Sequence, residues 1–398
     1  MSLVAGRPET PELRGVSGIP AVGQQDDDAT LAGVCGGRGG NGASSRHAHR
    51  MMEVTLRTRL TDGFGIRLPI LCAPMALVTG GRLAAAVSGA GGLGIVGGGY
   101  AGILGGEPDL RQEMAHVQGQ KFGVGFITWA LARAPHVLDE TMNQSPDYVF
   151  LSFGDPRPFA DRILRGGAKL ICQVQCLRHV DEALEAGAVA IVAQGTEAGG
   201  HGGKRSTLPF VPEVADYLAA RSPTTLLLAA GGIADGRGLA AALMLGADGV
   251  VIGTRFWASE EALTPRAATD RAMLATGDDT VRTRAIDALR GVPWPEEFSF
   301  RVGTNKLTEQ WAHREAEAAA AFGSLAAAYA EARKRQDLDV VVIVAGECIG
   351  IVHNRPRAAQ IVEEIVVEAQ ALLARGAALD FCQNTANPSP NANVSLVR

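Results

Sequence analysis

Strand-length apolar runs closed into a (β/α)8 barrel, with a helical insertion after strand eight, is the fold class this sequence predicts. Three observations predict it. Short apolar runs alternate with Ala- and Leu-rich stretches of helical character. Eight such runs can be counted, the number a TIM barrel needs. Most of them are apolar throughout rather than alternating, as expected for parallel strands covered on both faces. A doubly wound α/β sheet uses the same alternation, and the count of eight favours the barrel.

In chain order the predicted strands are Ile70–Pro74, Leu93–Gly97, Phe122–Ile127, Tyr148–Phe153, Lys169–Gln175, Ala188–Gln194, Thr225–Gly231 and Gly249–Gly253. Helices fit between them at Arg82–Ser88, His179–Ala186 and Gly238–Leu245. Each is followed by Gly and a small residue, which suits a helix C-cap leading into the next strand. The stretch from Gly89 to Gly94, GAGGLG, matches the dinucleotide pattern G-x-G-x-x-G letter for letter. That fingerprint needs a strand before it and a helix after it. Here the order is reversed, so these glycines are expected to turn the first helix into the second strand at the barrel bottom. The last helix is expected at Pro356–Ala374, after the apolar segment Val340–Gly346.

Residues 258–338 separate the eighth strand from that segment. They are expected to form a helical subdomain or lid over the barrel mouth, with an Ala-rich helix near Glu315–Arg333. The barrel itself is assigned to 53–257 and 339–380. Residues 1–52 are rich in Gly, Asp, Ser and Arg and cannot bury enough apolar surface to order themselves. Met51-Met52 is the expected start of the folded unit. Residues 381–398 read as a flexible tail.

Composition narrows the partners. Charged residues are 20% of the chain and the net charge is −5, with no long Lys/Arg run. That argues against nucleic acid and anionic membrane surfaces. No apolar run reaches the roughly 18 residues of a membrane span, and no secretory h-region is visible. The six cysteines form no C-x-x-C pair. A reducing, cytoplasmic setting without a structural metal is expected. Oligomeric state is open, a homo-oligomer included.

In such barrels chemistry lies at the C-terminal strand ends. After the seventh strand come Gly231-Gly232, and after the eighth Gly253-Thr254. Glycine there lets backbone N–H groups approach a phosphate. After the sixth strand, His201 stands among Gly199, Gly200, Gly202 and Gly203 on what reads as a pliable loop. Imidazole titrates near neutrality, so His201 is the candidate catalytic base. Of the remaining histidines of the barrel and insertion, His116, His136, His179 and His313 read as surface helix positions, and His353 follows an apolar run but has no glycine neighbours. After the first strand, Ala73-Pro74-Met75 offers an apolar ledge for a flat ring. Gln173 or Gln175 is expected to present a polar amide to the barrel interior, where it wants a partner, and Gln194 raises the same question. A phosphate-bearing ring cofactor across the mouth satisfies all of these, and FMN fits in size. NAD would need a second phosphate-and-ribose site, which is not visible.

These motifs resemble the nitronate monooxygenase family, formerly the 2-nitropropane dioxygenases, from about Leu68 to Leu373. The most specific element is AQGTEAGGHGG (Ala193–Gly203). LPILCAPM (Leu68–Met75), AGGLGIVGGG (Ala90–Gly99), LAAGGIADGRG (Leu228–Gly238) and GADGVVIGTRF (Gly246–Phe256) support it. The resemblance implies an FMN-bound barrel that oxidises alkyl nitronates with O2 to a carbonyl compound and nitrite. It implies that His201 deprotonates neutral nitroalkanes. Pro74, Met75, Gln173, Gly199, Gly200, Gly231, Gly232, Gly253 and Thr254 would line FMN. Two departures stand out: Gly125 where many relatives carry Asn, and Cys348 in place of a hydroxyl. The wider superfamily includes NAD(P)H-dependent quinone and enoyl reductases on the same cradle. These are the rival reading, with a non-catalytic flavin-binding protein as a third.

Overall fold

A computed structural model describes residues 54–103, 107–117 and 119–378. The expected tails 1–52 and 381–398, with Cys35, His47, His49 and Cys382, lie outside the described residues. Eleven strands occur among those described: β1 (Ile70–Cys72), β2 (Gly94–Gly99), β3 (Phe122–Ile127), β4 (Tyr148–Ser152), β5 (Lys169–Val174), β6 (Ala190–Gln194), β7 (Gly200–Gly202), β8 (Leu226–Ala230), β9 (Gly249–Ile252), β10 (Thr280–Thr283) and β11 (Ser299–Gly303). Eight of them form one sheet in the order β1-β9-β8-β6-β5-β4-β3-β2. Every neighbouring pair in it is parallel. A parallel bridge between Leu71 and Leu93 brings the two ends of the sheet together into a nearly closed barrel.

Side-chain alternation explains why the strands read as continuous apolar runs. On β4, Tyr148 and Phe150 join the cluster inside the barrel, while Val149 and Leu151 pack outward under the helices. On β5, Ile171 points in and Leu170 and Cys172 point out. Both faces are dry, so both are apolar and the two-residue period vanishes from the sequence.

The floor of the barrel is plugged by the helix Arg59–Phe64. Thr58 and Thr61 close a reciprocal cap at its start, and Gly65 ends it in the left-handed region at φ 61°. Leu60 and Phe64 are buried in the inner cluster. Phe64 stacks on Tyr148, the first residue of β4, at 4.3 Å between ring centres. The plug therefore fills the N-terminal end of the strands and leaves the C-terminal end open. The GAGGLG stretch lies at the end of the helix Gly81–Gly89 and the start of β2, as expected. A Cβ on Gly94 would sit 1.9 Å from the Ala84 carbonyl oxygen, so close helix–strand packing is what demands glycine there.

The insertion is helical but not only helical. Helices Arg266–Ala272, Ala285–Arg290, Lys306–Trp311, Glu315–Ala320 and Phe322–Lys334 are joined by β10 and β11. These two strands pair antiparallel, and β11 pairs in turn with β7, placing Phe300 opposite His201. The final helix, Ala358–Ala377, is tied to the barrel where its Glu368 accepts from the Gly236 N–H at 2.7 Å.

Candidate active site

A cavity of about 520 Å³ opens at the C-terminal ends of the barrel strands. Its wall contains Ala73, Pro74 and Met75 after β1, Gln173 on β5, and Gln194 on β6. It also contains Gly199, Gly200 and His201 at β7, Gly231 and Gly232 after β8, and Gly253 and Thr254 after β9. The barrel gathers them because each follows a strand whose C-terminal end faces the same way.

Gly231 and Gly232 both lie at positive φ, 100° and 75°. Among the described residues, the N–H groups of Gly231, Gly232 and Gly253 donate to no protein acceptor. The Thr254 hydroxyl accepts from the Gly346 N–H at 3.0 Å, which ties the β9 loop to the segment before Cys348. Burial pushes the Cys348 thiol up to about 11, against a weaker opposing effect of its hydrogen bond to Thr254. Cys348 is thus a neutral wall residue held by Thr254. Gly125 has a steric cause: a Cβ there would lie 2.3 Å from the Pro74 Cβ.

His201 does not sit on a pliable loop. It is the middle residue of β7, and only 7% of it is exposed. Two arginines fasten the approach to this strand. Arg282 on β10 donates to the carbonyls of Thr196, Ala198, Gly202 and Ser299. Arg301 on β11 donates to the Thr196 carbonyl and pairs with Glu347 at 2.7 Å. Flanking glycine marked close backbone packing here, not looseness.

The imidazole is held on three sides. Its Nε2 lies 2.8 Å from Asp287 Oδ2. Trp294 covers one stacking contact at 3.4 Å between ring centres and Phe300 another at 4.2 Å, each within 7° of parallel. Burial pushes the His201 pKa below its ordinary value; Asp287 pulls it up, and Arg290 and Arg282 push it further down. The downward balance leaves a neutral imidazole near pH 7.

Gln194 lines the cavity and also helps to position β7. Its Oε1 accepts from Gln175 Nε2 at 2.9 Å, and its Nε2 donates to the His201 carbonyl at 3.0 Å. One donor and one acceptor site of its amide are left over. Gln173 also lines the cavity, and its amide has no such partner among the described residues. His179 is not a plain surface position either. It is half-buried, accepts from the Gln175 N–H and lies 3.3 Å from Glu297.

Four residues at this site came from outside the strand-end reading: Asp287 and Arg290 on the helix Ala285–Arg290, Trp294, and Phe300 on β11. Arg290 lines the cavity and forms no ion pair among the described residues. Tyr100, just past β2, also lines it and accepts from Trp294 Nε1 at 3.1 Å. The signal for β10 and β11 was present in the sequence. SFRVG alternates polar with apolar residues, the mark of a half-buried strand, whereas TVRT has a single apolar residue and gives a weaker signal.

The nitronate monooxygenase family model matches residues 57–124 and 128–368. Among characterised proteins, the nitronate monooxygenase npaC of Metarhizium robertsii is 36% identical, over 81% of this chain and 98% of that protein. A nitronate monooxygenase of Neurospora crassa is 31% identical, over 76% and 89%. Among solved structures, FabK from Thermotoga maritima has a TM-score of 0.69 at 31% identity, covering 81% of this chain and 99% of that one. A nitroalkane oxidase from Streptomyces ansochromogenes has a TM-score of 0.64 at 25% identity, over 78% and 98%.

Proposed function

We propose, from the premise that this chain belongs to the nitronate monooxygenase family and is an oxidoreductase, that it uses FMN and O2 to convert alkyl nitronates to a carbonyl compound and nitrite, and that it also accepts neutral nitroalkanes. The observation that carries this reading is that buried His201 and Arg290, which has no ion pair among the described residues, both line the cavity. The first can take a proton from a neutral carbon acid. The second supplies positive charge where an anionic nitronate would lie.

The residues present fit the cofactor. The unpaired N–H groups of Gly231, Gly232 and Gly253 suit phosphate oxygens, because no side chain stands between backbone and ligand. Met75 and Pro74 offer an apolar surface for the ring face, and Gln173 an amide for its polar edge. The chemistry that bound FMN supplies is electron transfer from the nitronate to O2. The protein orients the substrate, excludes water with apolar walls and moves the proton.

The test is direct. The purified protein is expected to be yellow, to release FMN on heating, and to yield nitrite from a nitronate in air. Anaerobic mixing with NADPH separates the rival reductase reading: rapid bleaching of the flavin, with no nitrite formed from nitronates, overturns the proposal. Arg290→Leu is expected to raise KM for nitronates about 10- to 100-fold with a smaller change in kcat, since truncating one side of a charge contact costs binding. Steady-state kinetics at fixed O2 check this.

A further inference from the structure

We propose that Asp287 and His201 form a dyad, stacked on Trp294 and Phe300, in which Asp287 keeps the imidazole proton on Nε2, so that Nδ1 is the atom that receives the proton of a neutral nitroalkane. This rests on the nitroalkane reading above and names the atom and the positioning residues that reading leaves open.

The tautomer follows from donor and acceptor counting. An ionised carboxylate only accepts hydrogen bonds, so the 2.8 Å contact to Asp287 Oδ2 requires hydrogen on Nε2. A neutral imidazole carries a single N–H. Nδ1 therefore holds the lone pair. Nδ1 has no protein partner among the described residues, and His201 lines the cavity. The stacks on Trp294 and Phe300 fix the ring plane, and within that plane the contact to Asp287 fixes Nε2.

Asp287 is itself unusual. It is 4% exposed, and its Oδ1 has no hydrogen-bond partner. A buried carboxylate with one orphaned oxygen is costly unless its charge is used. The charged groups facing His201 are Asp287 and Arg290 from the helix Ala285–Arg290 and Arg282 from β10. Both arginines oppose protonation of the imidazole, and Asp287 is the group that favours it.

The step balances as follows. The α C–H bond of the nitroalkane breaks, and its electron pair becomes the C=N bond of the nitronate. The proton forms the new N–H bond at Nδ1. The imidazolium and Asp287 then make a neutral pair, with aromatic rings against the cation. The negative charge resides on the nitronate, on the wall that Arg290 lines.

Asp287→Asn in the FMN-loaded enzyme tests it. The expected result is a roughly 10- to 100-fold loss of kcat/KM on a neutral nitroalkane. The loss on the preformed nitronate is expected to be at least about tenfold smaller. Removing the carboxylate charge lowers the His201 pKa further, so the acid limb of the nitroalkane profile should move to lower pH by about one unit or more. Independently of activity, 15N NMR of ring-labelled parent protein above that limb should show Nδ1 as the unprotonated nitrogen. Equal losses on both substrates, an unmoved acid limb, or an unprotonated Nε2 overturns the dyad. The underlying reading fails separately, when His201→Asn leaves nitroalkane turnover unchanged.

Discussion

Replacing His201 by Asn is expected to lower kcat/KM for neutral nitroalkanes by about 10³-fold, within the range for removal of a positioned general base. A preformed nitronate has already lost its proton, so its oxidation should fall far less. The physical basis is the pKa of the group. Burial depresses the His201 pKa, and His201 lines the cavity. Its active form is thus present above its pKa and is lost as pH falls through it. Nitroalkane activity should show an acid limb below the ordinary histidine range, and nitronate activity should not share it. Asn is the informative substitution because it keeps a polar side chain of moderate size between Trp294 and Phe300 while abolishing proton acceptance. Initial rates on the two substrates, measured across pH in the same FMN-loaded preparation, give the ratio directly. A variant with parental nitroalkane rates would remove His201 from the chemistry.

How much of this could be read from the chain depends on sequence distance. The barrel strands announce themselves because each is buried on both faces, as Tyr148–Ser152 and Ala190–Gln194 illustrate. The cavity residues after them follow from topology, since β1, β5, β6, β8 and β9 all end at one mouth. What the strand-end rule does not reach is the partner side. Asp287 lies 86 residues from His201. It arrives there only because β10 and β11 pair back onto β7.

The strand β7 is Gly-His-Gly, which carries no β propensity of its own; its conformation is imposed by Phe300 and the arginines Arg282 and Arg301. A local reading therefore takes it as loose. Gln194 is tied down by a contact that no local reading shows: Gln175, just past the neighbouring strand β5, donates its amide to Gln194 Oε1. The same non-locality explains Gly125, whose requirement for glycine comes from Pro74 across the barrel wall.

Gly231→Val should abolish retention of FMN through purification, with affinity lowered at least about 100-fold. Two effects act together. The residue sits at φ 100°, a conformation that costs a β-branched side chain on the order of 1–3 kcal/mol. Its Cβ would also lie 2.9 Å from the Gly195 carbonyl oxygen, 3.1 Å from Thr207 Oγ1 and 3.2 Å from the Ala198 nitrogen. Two of those three atoms are backbone and cannot swing aside. Relief must come from moving the Gly231-Gly232 turn, whose unpaired N–H groups are the proposed phosphate donors, or the Gly195–Ala198 turn that leads to β7. Either movement spoils the cradle while the barrel strands keep their own pairing. Gly323→Ala is the matched control, because a Cβ there meets nothing within 4 Å. Flavin absorbance of the purified variants, read beside far-ultraviolet circular dichroism, separates cofactor loss from unfolding. A folded Gly231→Val protein that binds FMN as tightly as the parent would place the phosphate anchor away from the β8 loop.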